Sequence, residues 1–413
     1  MCSPPQSVLS PVGGLPTYTG GNAFFVIGIV LMNGASLFAS FAWSAPALIL
    51  FRVVQGAGGA MIFTTSVTIV TAIFPPEQRG RALGITLASV YTGLSTGPFI
   101  GGILTTYFGW RSIFLVILPL GLLVLWVTSV KVHDEWIDAH GARFDLAGSI
   151  LYAVSLFGVM YGFTLVPDPV APAWIIAGIT ILAYFLWWES RSESPVLDMS
   201  VFRHNVAFTL SNLAAMINYA ATYAVAFLLA LYLQYTKGFS PEFAGLILVA
   251  QPAVQTIVSP FAGRLSDRIE PRVVASVGMT LTAAGLLSFA FLSTGTPLWS
   301  IMAVLLVLGL GYALFSSPNT NAIMSSVQRR HFGIASSMVA TMRALGQLAS
   351  IAIVMMIFSL VIGRVQVTPD VYPQFLESVQ ISFLVLGILN VFGIFASYAR
   401  GKIREAEFSP SSR

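Results

Sequence analysis

The chain has 413 residues, of which 56% are hydrophobic and only 9% are charged. Soluble domains carry about 25% charged residues, so this composition excludes a soluble domain and is typical of a polytopic membrane protein. The single cysteine, Cys2, excludes an internal disulfide and a cysteine-rich metal site.

The segment 1–22 contains no charged residue and is rich in Pro, Gly, Ser and Thr. It lacks the basic region of a signal peptide, and we expect it to be disordered in the cytoplasm. Twelve apolar runs follow, most of them near the 20 residues that span a bilayer, and they predict helices because lipid-exposed backbone must satisfy its own hydrogen bonds. The runs lie near 23–42, 45–73, 82–107, 112–130, 147–166, 173–189, 206–234, 244–261, 273–293, 299–324, 334–362 and 378–399.

The basic residues predict the orientation of these spans. One set of loops carries fifteen Lys and Arg, the opposite set carries three, and Arg52 and Arg343 lie inside apolar runs. By the positive-inside rule the richer side is cytoplasmic, which places both termini there. We also expect an integral protein of the plasma membrane. This bias accounts for the net charge of +4, so no nucleic-acid partner is needed.

An internal repeat relates the two halves. At an offset of 253 residues, Gly and Ala positions recur, and a related offset of 250 aligns Gly28 with Gly278. Small residues at fixed places in paired helices are what close packing in lipid requires. The aligned pairs at the first offset are Gly56 with Gly309, Gly58 with Gly311, Ala60 with Ala313, Gly80 with Gly333, Ala82 with Ala335 and Gly93 with Gly346.

Three motifs stand out along the chain. A charged segment between two spans has the pattern Gly-x-x-x-Asp-Arg-x-x-x-Arg, and a mid-span arginine precedes a glycine run. The third motif is a Gly-Pro pair flanked by glycines. Their residues are Gly263, Asp267, Arg268 and Arg272; then Arg52, Gln55, Gly56, Gly58, Gly59 and Ala60; then Gly93, Gly97, Pro98, Gly101 and Gly102.

Together these motifs resemble those of the major facilitator superfamily, and within it the fourteen-helix branch of drug/proton antiporters. The resemblance covers about residues 23–399 and implies an all-α polytopic membrane protein with the major facilitator fold. Twelve spans are visible where the family has fourteen, so the family's first two helices have no counterpart here. A first-helix carboxylate that the resemblance links to proton coupling therefore maps to no residue of this sequence.

The resemblance also implies a domain plan. The two spans within 147–189 match the linker helices of this branch, and we expect a monomer in the lipid bilayer. The predicted regions are a start at 1–22, an incomplete four-span bundle at 23–130, two linker helices with cytoplasmic loops at 131–205, a six-helix bundle at 206–399 and a cytoplasmic tail at 400–413.

Each motif has a functional and a structural interpretation. Arg52, Gln55 and Arg343 are candidates for a proton or substrate relay, although Arg52 could instead snorkel to the interface and Arg343 could be structural. The Gly93–Gly102 row could gate the centre of the protein or simply pack against a helix. Asp267 is expected at the N-terminus of the next helix, in a charge network with Arg268 and Arg272 rather than free in solvent.

Polar residues within three spans are candidates to line a substrate cavity, although each could instead hydrogen-bond between helices. An apolar, aromatic cavity with amides and no fixed acid suits small lipophilic or amphipathic compounds. These residues are Asn212, Asn218, Tyr219 and Tyr223 on the seventh span, Gln251 on the eighth, and Asn319 and Asn321 on the tenth.

We expect no catalytic residue, no metal and no cofactor, because the sequence has no nucleotide-binding loop and no histidine pair at metal spacing. The resemblance implies a proton gradient as the energy source and export of small hydrophobic compounds. Two alternatives remain open: a truncated, transport-incompetent form, or a non-transporting membrane receptor or scaffold with the same fold.

Overall fold

A computed structural model describes residues 21–131, 146–166, 168–191, 205–328, 331–363 and 371–401. The predicted disordered start, apart from its last two residues, and most of the tail lie outside this range. The described helices are α1 (Gly21–Ser40), α2 (Ala45–Ile73), α3 (Pro76–Phe108), α4 (Ser112–Leu115), α5 (Ile117–Lys131), α6 (Leu146–Leu165), α7 (Ala171–Glu189), α8 (Val206–Thr222), α9 (Val225–Leu231), a π-helix (Tyr232–Thr236), α10 (Pro241–Leu248), α11 (Ala250–Arg268), α12 (Pro271–Phe289), α13 (Leu298–Ser325), α14 (Phe332–Val361) and α15 (Tyr372–Ala399).

The all-helical membrane architecture predicted from the sequence is confirmed. Eleven helical segments of the described chain are long and apolar enough to cross a bilayer. The twelfth predicted span, 82–107, lies within α3, a helix of 33 residues. Three predicted spans are broken rather than continuous: 112–130 corresponds to α4 and α5, 206–234 to α8, α9 and part of the π-helix, and 244–261 to α10 and α11.

Local sequence explains several helix starts. The Ser44 hydroxyl accepts a hydrogen bond from the Ala47 amide (3.3 Å), and the Asn205 side-chain oxygen accepts one from the Phe208 amide (2.9 Å). Such N-caps satisfy amides that a helix start leaves unpaired. Pro76 and Pro271 occupy first-turn positions, where proline's missing N–H costs nothing.

Equivalent glycines make equivalent contacts in the two halves. A Cβ added to Gly58 of α2 would lie 2.8 Å from the carbonyl oxygen of Gly28 in α1. A Cβ added to Gly311 of α13 would lie 2.8 Å from the carbonyl oxygen of Gly278 in α12. The sequence repeat is therefore also a packing repeat, with α1 and α2 matching α12 and α13.

The two halves meet mainly where α3 runs along α11, with further contacts between α3 and α13 and between α2 and α14. Gly80 and Gly263 bring α3 and α11 so close that a Cβ on Gly263 would collide with the Gly80 carbonyl oxygen. Gly84 meets the Ser259 carbonyl oxygen in the same way. Backbone-to-backbone contact between helices requires small residues, which explains the glycines here.

The linker helices α6 and α7 pack on one another and attach to the second half. Tyr152 of α6 stacks on Phe185 of α7 with ring centroids 4.9 Å apart. The Tyr152 hydroxyl also donates a hydrogen bond to the Met338 sulfur of α14 (3.6 Å). Helices α6 and α7 therefore have a structural role, and their described residues are not part of the site described below.

The sequence interpretation of the charged segment needs a correction. Gly263–Arg272 was expected to be a loop, with Asp267 at the start of the next helix, but α11 continues through Arg268 and α12 starts only at Pro271. Asp267 therefore lies in the last turn of α11. Apolar-run counting ended this span at 261 because it treats charges as loop markers, whereas a helix extends beyond the bilayer wherever its backbone hydrogen bonds continue.

Candidate functional site

The centre of the protein is marked by Arg343, which lies between aromatic rings from both halves. Its guanidinium carbon is 5.6 Å from the ring centroid of Phe63 in α2 and 5.7 Å from that of Tyr219 in α8. Both distances are within the range of a cation–π interaction. One cation on α14 thus contacts the first half on one side and the second half on the other.

Two further tyrosines extend this central cluster. Tyr312 of α13 meets Tyr219 edge to face, with ring centroids 5.8 Å apart, and meets Tyr91 of α3 in the same manner at 5.9 Å. The Tyr91 hydroxyl donates to the Ser316 hydroxyl (3.0 Å), which ties α3 to α13. We call Phe63, Tyr91, Tyr219, Tyr312 and Arg343 the central cluster. It joins five helices, namely α2, α3, α8, α13 and α14.

Arg343 has no acidic partner among the described residues. The described groups around its guanidinium are the rings of Phe63 and Tyr219, and no described side chain or carbonyl accepts a hydrogen bond from it. The described Asp and Glu residues lie in connections or near helix ends, among them Glu77, Asp267 and Glu377. Among the described residues, therefore, no acid balances the positive charge of Arg343 and no group accepts from its N–H donors.

Arg52, the second mid-span arginine, has a separate environment. Its guanidinium donates to the Gln55 side-chain oxygen (2.7 Å), and the Gln55 amide donates in turn to the Ser36 hydroxyl of α1 (2.7 Å). Its guanidinium carbon also lies 6.0 Å from the Phe114 ring centroid of α4. Gln55 is buried, so this chain of hydrogen bonds fastens α2 to α1.

The predicted relay residues are therefore not all together. Arg52 and Gln55 form one unit, as their spacing of three residues on a helix favours. Arg343 contacts Phe63, which lies eleven residues beyond Arg52 on α2, or about 16 Å at 1.5 Å per residue. No contact between the two arginines is seen, and a relay between them stays a prediction.

The predicted cavity residues of the seventh span divide into two groups. Tyr219 belongs to the central cluster, and Tyr223 is 46% exposed. Asn218 is fully buried, and its amide donates to the Asn390 side-chain oxygen of α15 (3.4 Å). Asn212 is also buried and donates to the Phe208 carbonyl oxygen (2.9 Å). Asn218 therefore joins α8 to α15, Asn212 bonds within α8, Tyr219 is buried against Tyr312 and Arg343, and Tyr223 is the exposed member of the group.

Gln251 of α11 is partly buried, and its carbonyl oxygen lies 2.6 Å from where a Cβ on Gly309 would be. The tenth-span amides form hydrogen bonds between helices. Asn321 donates to the Ser266 hydroxyl (3.1 Å), and Asn319 donates to the Ser211 carbonyl oxygen (3.1 Å). The cavity role proposed for these three side chains stays a prediction, while the hydrogen bonds give the asparagines a structural role.

Arg400, which the sequence assigned to the tail, is buried at 2% exposure. Its guanidinium donates to the Asn319 side-chain oxygen (2.6 Å), the Ser211 hydroxyl (3.0 Å) and the Pro271 carbonyl oxygen (3.1 Å). Burial lowers the pKa of Arg400 to about 9, with Glu270 opposing the shift, so the side chain remains charged at neutral pH. It fastens the end of α15 to α8, α12 and α13.

Asp267 makes a polar contact between the halves at the crossing of α3 and α11. Its two carboxylate oxygens accept hydrogen bonds from the Gly80 amide (2.7 Å) and the Arg81 amide (2.8 Å), both near the N-terminus of α3. A carboxylate is favourable there because of the helix dipole. The predicted coupling to a helix N-terminus therefore involves α3 rather than the next helix, α12.

The two arginines of this motif are placed differently. Arg268 is exposed at the end of α11. Arg272 is partly buried in α12, with its guanidinium carbon 5.4 Å from the Tyr398 ring centroid. Gly263 completes the close crossing with Gly80. Within this motif, Asp267 and Gly263 contact the first half, whereas Arg272 contacts α15.

The glycine row of α3 faces open space within the described structure. A Cβ added to Gly93, Gly97 or Gly101 would meet no described atom within 4 Å. Gly346, the repeat counterpart of Gly93, packs tightly on α8, where a Cβ would lie 2.5 Å from the Met216 carbonyl oxygen. The surroundings of Pro98 and Gly102 lie outside the described residues, and the gating role stays a prediction.

Sequence reasoning missed several residues of these contacts. Phe63, Tyr91 and Tyr312 are single aromatics in aromatic-rich spans, so nothing in their spacing distinguished them. The repeat singled out Gly80, which matches Gly333, but nothing in the sequence indicated that Gly80 packs against Gly263. Pairings between helices from different halves depend on the tertiary arrangement.

Comparisons with known proteins agree with this architecture. The family model described as Major Facilitator Superfamily matches residues 7–205 and 212–412. The riboflavin transporter RibZ of Clostridioides difficile is 30% identical over 336 residues, covering 81% of this chain and 73% of RibZ. The multidrug resistance protein Stp of Mycobacterium tuberculosis is 33% identical over 343 residues, covering 81% of this chain but only 63% of Stp.

Among solved structures, the human organic anion transporter MFSD10 (TETRAN) superposes with a TM-score of 0.67 at 14% sequence identity. The match covers 95% of this chain and 80% of that protein, and it shows a shared fold. With two family matches that together span nearly the whole chain, this protein is a member of the major facilitator superfamily of membrane transporters.

Proposed function

We propose that this protein is a secondary active transporter of the drug/proton antiporter type, which exports small hydrophobic or amphipathic compounds from the cytoplasm. The observation that carries the proposal is the central cluster, where Phe63 and Tyr91 of the first half meet Tyr219, Tyr312 and Arg343 of the second. Substrate sites of secondary transporters lie near the bilayer midplane between their repeats.

The chemistry of the central cluster supports this substrate class. Its surfaces are aromatic, with a few hydroxyl groups and one cation, as expected for a site that binds apolar compounds and orients them by a small number of polar contacts. Relatives named a multidrug resistance protein and a riboflavin transporter are consistent with compounds of this size. The export direction and the fourteen-helix branch follow from the motifs and remain part of the proposal.

The cytoplasmic contact supports an alternating mechanism. Asp267 holds the N-terminus of α3 through two hydrogen bonds, and these join elements of different halves. Rocking of the halves around a fixed central site would expose that site to one side at a time. In this mechanism the contact must break when the cytoplasmic side opens, and its modest strength suits that role.

A second candidate is a protein of this fold that does not couple compound movement to protons, either a transport-incompetent form or a membrane receptor. The observation that favours it is the placement of the described carboxylates, which lie in connections or near helix ends rather than beside Arg52 or Arg343. An arginine cannot serve as the exchanging group, because it stays protonated at physiological pH.

Reconstitution distinguishes these candidates. The purified 413-residue chain is placed in vesicles that contain a pH-sensitive dye, and a fluorescent lipophilic compound is added outside. Movement of the compound together with protons supports antiport. Compound movement without any proton movement contradicts coupling, and saturable binding without movement of either supports the receptor.

A further inference from the structure

We infer that the central cluster selects small aromatic anions, bound through the guanidinium of Arg343. This inference rests on the proposed function, because it names the chemical class of compound that the same site takes. The inference is based on the charge of Arg343, which has no acidic partner among the described residues. Binding of purely hydrophobic compounds would give this charge no role.

The charge balance is the first step. Arg343 is surrounded by aromatic rings, and among the described residues no carboxylate contacts it. A charge within a membrane protein persists where it faces a polar cavity or a partner. The partners present here, the faces of Phe63 and Tyr219, offer only the weak negative potential of an aromatic ring. An anionic ligand supplies the stronger compensation.

The donor geometry is the second step. A guanidinium carries five N–H groups in a planar fork that fits a carboxylate or a sulfonate by two parallel hydrogen bonds. No described group accepts from the Arg343 fork, in contrast to Arg52, which donates to Gln55 at 2.7 Å. The two mid-span arginines thus differ, since Arg52 donates to a described side chain and Arg343 donates to none.

The arrangement of the rings is the third step. Phe63 and Tyr219 flank the guanidinium, while Tyr312 and Tyr91 continue the aromatic surface from Tyr219. A flat ligand can place its acidic group at Arg343 and its ring edge to face against these tyrosines. Lipophilic cations are disfavoured, because Arg343 repels them and already occupies the vicinity of both flanking rings.

Binding of three matched compounds to the purified full-length chain tests the inference. The compounds are 2-naphthoate, 2-naphthamide and 2-naphthylmethylammonium, which share one ring system and differ in charge. Isothermal titration in detergent should show naphthoate binding at least about tenfold more tightly than the amide, a difference of about 1.4 kcal/mol. The ammonium compound should bind most weakly. Equal affinities for all three, or a preference for the ammonium compound, would overturn the inference.

Variants separate selection by charge from a purely structural role. Arg343→Gln should remove the preference for naphthoate while leaving naphthamide affinity within about twofold, and Arg343→Lys should keep only part of the preference because it lacks the fork. Arg264→Gln, at an exposed position at the cytoplasmic end of α11, serves as the control and should retain the full preference. A parallel loss of both ligands in Arg343→Gln means that the residue only packs the helices, which also contradicts the inference.

The ranking of the three compounds on the unmodified chain keeps the test decisive if Arg343→Gln does not fold. Vesicle transport of the same compounds separates this inference from the proposed function. Charge-selective binding without transport supports the anion site and contradicts the transporter proposal. Transport of the neutral or cationic compound without naphthoate preference contradicts the anion site and leaves the transporter proposal intact.

Discussion

The Asp267 carboxylate accepts a hydrogen bond from the Gly80 amide, 2.7 Å away, across the boundary between the two halves of the protein. Gly80 can take part because it has no side chain, since a Cβ there would lie 2.5 Å from the same carboxylate oxygen. The hydrogen bond to Asp267 therefore requires a glycine at position 80. Both are located where α3 and α11 cross, at the end of the protein that bears most of the basic residues.

Asp267→Asn should impair transport more than it impairs folding. The amide keeps one oxygen acceptor but loses the charge that favours the α3 N-terminus, and a partly exposed contact of this kind contributes about 1 kcal/mol or less. Such a loss is small for a helix bundle but shifts a balanced two-state equilibrium several-fold toward the form in which this contact is broken. Transport rate per unit of folded protein in vesicles measures the effect.

The control for this substitution is Asp168→Asn. The Asp168 carboxylate accepts from the Val170 amide within its own connection (2.9 Å) and joins no separate helices. Its transport rate should stay near that of the unmodified chain. Equal rates for Asp267→Asn and Asp168→Asn at equal protein level would indicate that the contact between the halves has no role in the cycle.

Gly263→Ala should destabilise the protein, because the new methyl group meets the Gly80 carbonyl oxygen and the two helices must move apart. Overpacking of this type costs about 1–3 kcal/mol. The midpoint of thermal unfolding in detergent should fall by several degrees. The measurement is the fraction of protein that stays monodisperse in size-exclusion chromatography after heating. Gly97→Ala is the matched control, since a methyl group there meets no described atom within 4 Å, and its midpoint should change little. An undiminished midpoint for Gly263→Ala would mean that the halves are not closely packed at this crossing.

The sequence predicted the helices more completely than the site. Apolar runs locate spans because membrane thickness sets their length, and repeat offsets identified Gly28 and Gly58 as packing positions that the structure shows in contact. Arg343 was singled out because a charge in an apolar run is rare. Its neighbours Phe63 and Tyr219 lie 280 and 124 positions away in the chain, and no local pattern encodes such pairs.

Arg400 is a residue whose burial the sequence predicted wrongly. Its position after the last apolar run predicted a solvated tail, yet three helices supply acceptors that bury it. A long side chain at a helix end can reach back into the protein, and single-sequence hydropathy assigns a residue by its neighbours in the chain. Charged residues at span ends are therefore the positions at which sequence-based burial is least informative.

Arg400→Met should lower stability strongly. It leaves the Asn319 side-chain oxygen and the Pro271 carbonyl oxygen without their donor, and each unpaired buried acceptor costs about 1–3 kcal/mol. Arg264→Met removes an exposed arginine from the same side of the protein and should change stability by only about 0.5 kcal/mol. Thermal unfolding midpoints of the two variants give the comparison. Similar midpoints would show that the buried network around Arg400 does not stabilise the fold.

The orientation predicted from fifteen basic residues on one side and three on the other can be tested by labelling. The labelled positions must be exposed, because a buried cysteine does not react. Ser266 lies in the segment first read as a cytoplasmic loop, but it is fully buried, so a cysteine there would be unreactive in either orientation. Exposed positions are Ile269 and Gln328 on the predicted inner side, and Glu242 and Thr294 on the predicted outer side.

Single cysteines at these four positions, in a Cys2→Ser background, should react with a membrane-impermeant maleimide according to side. In intact cells we expect labelling at Glu242→Cys and Thr294→Cys and none at Ile269→Cys and Gln328→Cys, because the basic loops are held in the cytoplasm. Permeabilised cells should label all four, which controls for reactivity. If the inner pair is labelled in intact cells while the outer pair is protected, the protein is inserted the other way. The Asp267 contact would then close the external side, and the proposed direction of transport would have to be reversed.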